Sequence, residues 1–140
     1  MSGEVLLIVE DNPVNQKLLL MVLRPHGYRL FTANDGEEAV EKAHQLHPDL
    51  ILMDLQLPRM NGFCAAQAIK GDPTTASTRI VALTAHAMAE EREHADQLGF
   101  EGYITKPVNT RTFPAELRAI LDRHNPTHRP EPPADGPRHG

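Results

Sequence analysis

The chain has few of the residues that stabilise small secreted domains or line membranes. Its 140 residues include one cysteine and no tryptophan, and aromatic residues make up 4% of the composition. A single cysteine excludes an internal disulfide and is typical of a reducing compartment. No apolar run approaches the roughly 20 residues of a membrane span, and the first residues lack the pattern of a secretory signal. We therefore expect a cytoplasmic protein without a membrane span.

Charge and composition further restrict the class of protein. The formal net charge is −5, which argues against a nucleic-acid-binding surface. The hydrophobic fraction of 40% is sufficient for a core, and the shortage of aromatic residues predicts that this core is aliphatic. Residues 125–140 contain five prolines and no large apolar residue. They are predicted to form a disordered tail after a single domain over residues 1–124.

Apolar runs of strand length alternate with segments of helical periodicity. The runs lie at residues 5–9, 28–33, 50–53, 80–83 and 102–105. Each is followed by a helical pattern, so the chain reads as five β-α units. Such an alternation predicts an α/β protein with a parallel sheet and helices on both faces. We expect the flavodoxin-like (βα)5 doubly wound arrangement with strand order 2-1-3-4-5.

The periodicity also predicts which faces of the helices are buried. In the first helix an apolar stripe recurs at helical spacing, formed by Val14, Leu18, Val22, Leu19 and Leu23. The fourth helix, over about residues 88–98, carries acidic residues that are expected to lie on its outer face, namely Glu90, Glu91, Glu93 and Asp96.

Polar side chains follow four of the five predicted strands at the point where each strand ends. They are Glu10 and Asp11 after the first strand, Asp54 after the third, Thr84 after the fourth and Lys106 after the fifth. Because the carboxyl ends of parallel strands share one edge of the sheet, these side chains are expected to meet there. Taken singly, each has an ordinary explanation as a helix cap, a strand-end hydroxyl or a solvated lysine.

Taken together, these residue types indicate phosphoryl chemistry. Three carboxylates at one edge repel one another unless a cation joins them, and hard oxygen ligands with several waters suit Mg²⁺. A divalent cation, the Lys106 ammonium and the Thr84 hydroxyl match the oxygens of a transferring phosphoryl group. One oxygen of Asp54 is then free to attack phosphorus.

Four segments of the chain carry a resemblance to a known family. They are Val9-Glu-Asp-Asn-Pro-Val-Asn15, Leu52-Met-Asp-Leu-Gln-Leu-Pro-Arg-Met-Asn-Gly62, Leu83-Thr-Ala85 and Tyr103-Ile-Thr-Lys-Pro107. With them the chain resembles the receiver domain of two-component response regulators over residues 4 to about 123. The resemblance implies a phosphorylation-dependent signalling switch that catalyses only its own phosphorylation and dephosphorylation.

The resemblance also implies a role for each site residue. Asp54 is the implied phosphoacceptor, and Glu10, Asp11 and Asp54 are implied to bind Mg²⁺ with the backbone carbonyl of Gln56. Lys106 is implied to pair with the phosphoryl group, and Thr84 and Tyr103 to act as the switch pair. The family also implies a cis bond at Lys106-Pro107. The two positions expected to tune dephosphorylation are Gln56 and His86.

The implied partners are proteins. A histidine kinase or a histidine phosphotransfer protein is the expected donor, facing the first helix near Asn15 and the loop after Lys106. An output protein is expected to recognise the face of the fourth helix, fifth strand and fifth helix. The same site would serve a protein that passes phosphoryl groups along a relay, and the sequence does not separate a relay from a switch. Two further alternatives remain: a degenerate receiver that binds proteins without phosphorylation, and a flavodoxin-like enzyme or FMN carrier. Acids stand where an FMN carrier needs a phosphate loop, which disfavours the latter.

Overall fold

Strands and helices alternate along the chain. The computed structural model describes residues 3–57, 60–85 and 89–123. The strands are β1 (Val5–Val9), β2 (Arg29–Ala33), β3 (Leu50–Asp54), β4 (Arg79–Thr84) and β5 (Gly102–Thr105). The helices are α1 (Pro13–Leu23), α2 (Gly36–Leu46), α3 (Gly62–Lys70), α4 (Ala89–Gln97) and α5 (Phe113–Asp122), with a 3-10 turn at Arg24–His26. The predicted tail over residues 125–140 lies outside the described residues.

The five strands form one parallel sheet in the order β2-β1-β3-β4-β5. The predicted fold class and strand order are therefore confirmed. The register aligns the carboxyl ends of the central strands: Val9 pairs with Met53, and Asp54 pairs with Leu83. This alignment brings the residues that follow β1, β3 and β4 to one edge of the sheet.

The core has two layers because alternate residues of a strand point to opposite faces of the sheet. One layer is covered by α1 and α5, and its buried members include Ile8, Leu52, Leu19, Leu23, Phe113 and Leu117. The other is covered by α2 and α3 and includes Val9, Met53, Ala39, Ala43, Ala66 and Ile69. Among the residues that the structure describes, the buried hydrophobic ones other than Phe113 are not aromatic, as the composition predicts. Within the described ranges, no helix is long and apolar enough to cross a membrane.

The predicted stripe of α1 is wrong in part. Leu19 and Leu23 are buried, but Val14 is 75% exposed and Leu18 is 39% exposed, as is Met21 at 60%. The helix carries apolar residues around most of its circumference, so spacing alone does not identify the side that faces the sheet. The row that packs on the sheet is Leu19 and Leu23, which leaves a neighbouring apolar row in solvent.

Candidate functional site

The turn after β1 places two acids at the sheet edge. The backbone N–H of Glu10 still donates to the Ala33 carbonyl at 3.1 Å, so this residue is held beside the sheet. Asn12 then caps α1, because its side-chain oxygen accepts from the backbone N–H groups of Val14 and Asn15 at 2.9 and 3.1 Å. The cap turns the chain immediately after Asp11. Glu10 is 1% exposed and Asp11 is exposed.

Asp54 ends β3 and is 1% exposed. Its Oδ1 accepts a hydrogen bond from the backbone N–H of Gln56 at 2.9 Å. Its Oδ2 lies 3.0 Å from Lys106 Nζ, which also lies 3.2 Å from Glu10 Oε1. One ammonium therefore bridges two buried carboxylates that come from different strands.

The Lys106 backbone is fixed as firmly as its side chain. Its N–H donates to the carbonyl of Thr84 at 2.7 Å, which extends the pairing of β4 and β5 by one residue. The Lys106–Pro107 peptide bond is cis. The hydrogen bond to Thr84 positions the Lys106 backbone next to β4. From there the side chain reaches Asp54 and Glu10 at the sheet edge.

The site carries more negative than positive charge. Burial, and then the charge of Asp54, raise the pKa of Glu10 above its ordinary value of 4.5 although Lys106 opposes this. Burial alone lowers the pKa of Lys106, but the hydrogen bonds and charges of Asp54 and Glu10 raise it above 10.5 overall. Carboxylate oxygens of Glu10, Asp11 and Asp54 all lie within 4.8 Å of one another. Three carboxylates facing one ammonium fit a divalent cation, and oxygen donors of this kind suit Mg²⁺.

The loop after Asp54 is held close by a glycine. The N–H of Gly62 donates to the Leu55 carbonyl at 3.2 Å. A Cβ at this position would lie 2.3 Å from the Asp54 carbonyl oxygen and 2.7 Å from Leu55 Cα. Only glycine permits this approach without a shift of the backbone. Asn61 caps α3 at the same point by accepting from the Cys64 N–H at 2.9 Å.

Thr84 and Tyr103 lie beside each other on neighbouring strands and share one partner. Thr84 is fully buried at the end of β4, and its hydroxyl donates to Glu91 Oε1 at 3.3 Å. The Tyr103 hydroxyl donates to the same oxygen at 3.1 Å. Burial, followed by the hydrogen bond to Glu91, raises the pKa of Tyr103 above 10.0. The guanidinium of Arg92 lies 4.8 Å from the centre of the Tyr103 ring.

The prediction that all four acids of α4 face outward is wrong for Glu91. Glu90, Glu93 and Asp96 are exposed, whereas Glu91 is half-buried and contacts the two hydroxyls. Sequence reasoning missed this residue. The available signal was its spacing from Ala95, the buried residue four positions later on the same side of the helix.

The structure gives less information on the two residues expected to tune dephosphorylation, Gln56 and His86. Gln56 follows Asp54 and its side chain is exposed, while its backbone N–H contacts Asp54. His86 lies outside the described residues. The structure thus brings together Glu10, Asp11, Asp54 and Lys106. It places Thr84 at the end of β4 and Tyr103 within the neighbouring strand β5.

The structure is that of a doubly wound α/β protein with an acidic site at the carboxyl ends of its two adjacent central strands, β1 and β3. The sequence model of the response regulator receiver domain matches residues 6–118. The chain therefore belongs to the response regulator receiver domain family, a family of two-component signalling proteins.

Several known proteins are similar to this chain in sequence. The polar-differentiation response regulator DivK of Brucella ovis is 37% identical over 115 residues, which span 82% of this chain and 94% of that protein. DivK of Brucella anthropi is 36% identical over the same shares of both chains. The match thus covers nearly the whole of these relatives.

Solved structures are similar as well. Chemotaxis protein CheY4 of Vibrio cholerae has a TM-score of 0.80 at 28% identity, covering 85% of this chain and 99% of that chain. The receiver domain of sensor histidine kinase PA1611 from Pseudomonas aeruginosa has a TM-score of 0.74 at 40% identity, covering 86% and 95%. That neighbour has a magnesium ion coordinated in its active-site cleft.

Proposed function

We propose that this chain is a phosphorylation-dependent switch in which Asp54 accepts a phosphoryl group in a Mg²⁺-dependent reaction. The observation that supports this most directly is the position of the Lys106 ammonium, 3.0 Å from Asp54 Oδ2. Carboxylate oxygens of Glu10 and Asp11 lie within 4.8 Å of an Asp54 oxygen. The proposed acceptor Asp54, the Lys106 ammonium and two further candidate metal ligands are therefore close together.

The proposed reaction is a displacement at phosphorus. A carboxylate oxygen of Asp54 forms the new O–P bond while the P–N bond to the donor histidine breaks, and the electron pair and a proton go to the histidine nitrogen. The backbone N–H of Gln56 holds Asp54 Oδ1 at 2.9 Å, which orients the carboxylate. The Lys106 ammonium neutralises charge on the phosphoryl oxygens, and the Thr84 hydroxyl donates to one of them.

Magnesium has a defined set of candidate ligands. Glu10, Asp11, Asp54 and the backbone carbonyl of Gln56 would hold the ion. When bound, it supplies charge neutralisation at the phosphoryl oxygens and offsets the repulsion among the three acids. The pKa of Glu10 is raised by burial and then by the charge of Asp54. This repulsion between the acids supports the proposal that a cation binds among them. The two residues proposed to influence loss of the phosphoryl group are Gln56 and His86, and alanine at either is expected to change the dephosphorylation rate.

The exposed row of α1 supports a docking surface for the phosphodonor protein. Val14, Leu18 and Met21 are exposed on one side of the helix. Next to them is a cleft of about 340 Å³ whose lining includes Leu18, Lys106 and Val108. An apolar helix of a histidine kinase or histidine phosphotransfer protein fits such a surface, and the cleft leads from it to Lys106. The output protein is proposed to bind the face of α4, β5 and α5.

A ligand-binding experiment separates this proposal from its alternatives. With Mg²⁺ present, beryllofluoride is expected to bind the native chain, and acetyl phosphate is expected to label it. Asp54→Asn removes the nucleophile and is expected to abolish the labelling. Failure of the native chain to bind beryllofluoride in Mg²⁺ would favour a phosphorylation-independent binding module, and binding of FMN instead would favour a flavin carrier.

A further inference from the structure

Glu91 occupies a position between the two switch residues. It lies in the first half of α4 (Ala89–Gln97), and a single oxygen, Oε1, accepts from Thr84 at 3.3 Å and from Tyr103 at 3.1 Å. The two donors come from different strands, since Thr84 ends β4 and Tyr103 lies within β5. One carboxylate therefore ties α4 to both strands at the edge next to Asp54.

The hydroxyl of Thr84 has one proton and donates to one acceptor at a time. A phosphoryl oxygen on Asp54 and the carboxylate of Glu91 therefore compete for the same proton. The backbone of Thr84 is fixed by pairing with Thr105 and by the hydrogen bond from the Lys106 N–H at 2.7 Å. Its side chain, rather than its backbone, has to change partner when the site is phosphorylated.

We propose that Glu91 is a positioning residue that stabilises the unphosphorylated arrangement by holding the Thr84 and Tyr103 hydroxyls away from Asp54. This inference rests on the proposed phosphoryl transfer to Asp54. Phosphorylation adds about −1.5 to −2 charges to Asp54, and a phosphoryl oxygen then accepts the hydrogen bond of the Thr84 hydroxyl, so Glu91 loses one donor. The second donor, Tyr103, still contacts the same carboxylate, and the guanidinium of Arg92 lies 4.8 Å from the centre of its ring.

Removing the acceptor is therefore expected to favour the phosphorylated arrangement. Glu91→Ala removes the carboxylate that accepts from the Thr84 hydroxyl, so donation to the phosphoryl group no longer has to break that bond. The Thr84–Glu91 hydrogen bond is long, at 3.3 Å, so we expect it to contribute as much as an ordinary hydrogen bond, which corresponds to about a fivefold to tenfold change in an equilibrium constant. Glu91→Gln keeps an oxygen acceptor without the charge, so an intermediate effect is expected.

The test measures beryllofluoride affinity in Mg²⁺. The chain has two tyrosines and no tryptophan, so Tyr28→Phe leaves Tyr103 as the only tyrosine, and its fluorescence reports binding. In this background Glu91→Ala is expected to bind beryllofluoride about fivefold to tenfold more tightly. The matched control is Glu93→Ala, which removes an exposed acid from the same helix and is expected to leave the affinity within about twofold.

A second readout reports the contact itself. Without beryllofluoride, absorbance titration of the single-tyrosine protein is expected to give a lower phenol pKa in Glu91→Ala than in Glu93→Ala. General loosening of the protein would weaken beryllofluoride binding, whereas release of Thr84 strengthens it. Equal beryllofluoride affinity and equal phenol pKa in the Glu91 and Glu93 variants would overturn the role of Glu91 alone. Absence of any response in the parent protein would overturn the proposed phosphoryl site, and the role of Glu91 with it.

Discussion

Replacing Lys106 by methionine tests the electrostatic balance of the acidic site. Methionine keeps a long unbranched side chain but removes the ammonium that lies 3.0 Å from Asp54 and 3.2 Å from Glu10. Both acids are buried, with side chains 2% and 1% exposed, while that of Lys106 is 18% exposed. The variant therefore leaves two buried carboxylates without a cation between them.

The expected loss of stability follows from these distances. At an effective dielectric constant of about 20, each contact corresponds to a gross attraction of about 5 kcal/mol. Part of this is offset because Lys106 is no longer desolvated, and breaking a buried pair typically costs about 3–5 kcal/mol. Since the ammonium is partly exposed, we expect a loss of about 3 kcal/mol in the free energy of unfolding at pH 7.5 without Mg²⁺.

The loss is expected to depend on pH in a defined direction. The pKa of Glu10 is already raised above 4.5 by burial and then by Asp54, and Lys106 is a cause that lowers it. Without Lys106 this pKa rises further. A carboxyl group whose pKa is higher in the folded state favours folding when protonated, and that contribution is lost as the pH rises through the folded pKa. The variant is therefore expected to recover part of its stability at pH 5.

Urea unfolding at pH 5 and pH 7.5, with and without Mg²⁺, measures both effects. Mg²⁺ is expected to stabilise Lys106→Met more than the parent, because the ion no longer competes with a neighbouring ammonium. Lys17→Met removes an exposed lysine from α1 and serves as the control. Equal stability of Lys106→Met and the control at pH 7.5, or a loss that grows towards pH 5, would refute this account of the site.

Three further changes test other parts of the chain. Gly62→Ala places a Cβ 2.3 Å from the Asp54 carbonyl oxygen, so we expect a loss of about 2 kcal/mol in urea unfolding and weaker beryllofluoride binding; parent-like values would contradict this. His44→Gln removes the 2.7 Å contact with Asp72. This contact, followed by two hydrogen bonds from Thr74, lowers the pKa of Asp72 to about 2, and the hydrogen bond to Asp72 raises the pKa of His44 above 6.5. The pair therefore stabilises most between pH 3.8 and 6.5, and a loss of stability at pH 9 as large as at pH 6 would argue against it. Met21→Glu, at a side chain 60% exposed, is expected to slow transfer from a phosphohistidine protein at least tenfold while labelling by acetyl phosphate stays unchanged; equal slowing of both reactions would count against docking on α1.

The sheet edge was predictable because it depends on topology. Once five β-α units are assigned, right-handed crossovers and a parallel sheet bring the residues that follow each strand to one side. Asp54 directly follows the third apolar run, and Lys106 directly follows the fifth. These positions determine which residues meet at the edge. The structure places the Lys106 ammonium against both Asp54 and Glu10, a contact that spans 96 residues of the chain in the case of Glu10.

The parts that were not predictable depend on the rotation of helices about their own axes. In α1, rows containing Leu18 and Leu19 are both apolar, and only packing against β1 and α5 decides that Leu19 is buried. In α4, four acids lie on one short helix, and only the rotation of that helix turns Glu91 inward. In α1, composition and spacing do not distinguish the two rows, because apolar residues lie on both. In α4 the signal is a single small residue, Ala95, which is buried four positions after Glu91.

Thr84 links the predictable and the unpredictable parts of the site. Its backbone carbonyl accepts from the Lys106 N–H, so it belongs to the strand-end arrangement that topology determines. Its hydroxyl donates to Glu91, so it also belongs to the contact that helix rotation determines. A change at Asp54 that draws this hydroxyl away acts on α4 and on Tyr103 together, because both are joined to it through one carboxylate. A single side chain, that of Glu91, therefore connects Thr84 at the proposed acceptor site with the proposed output face, and the sequence analysis identified Thr84 but not Glu91 in this connection.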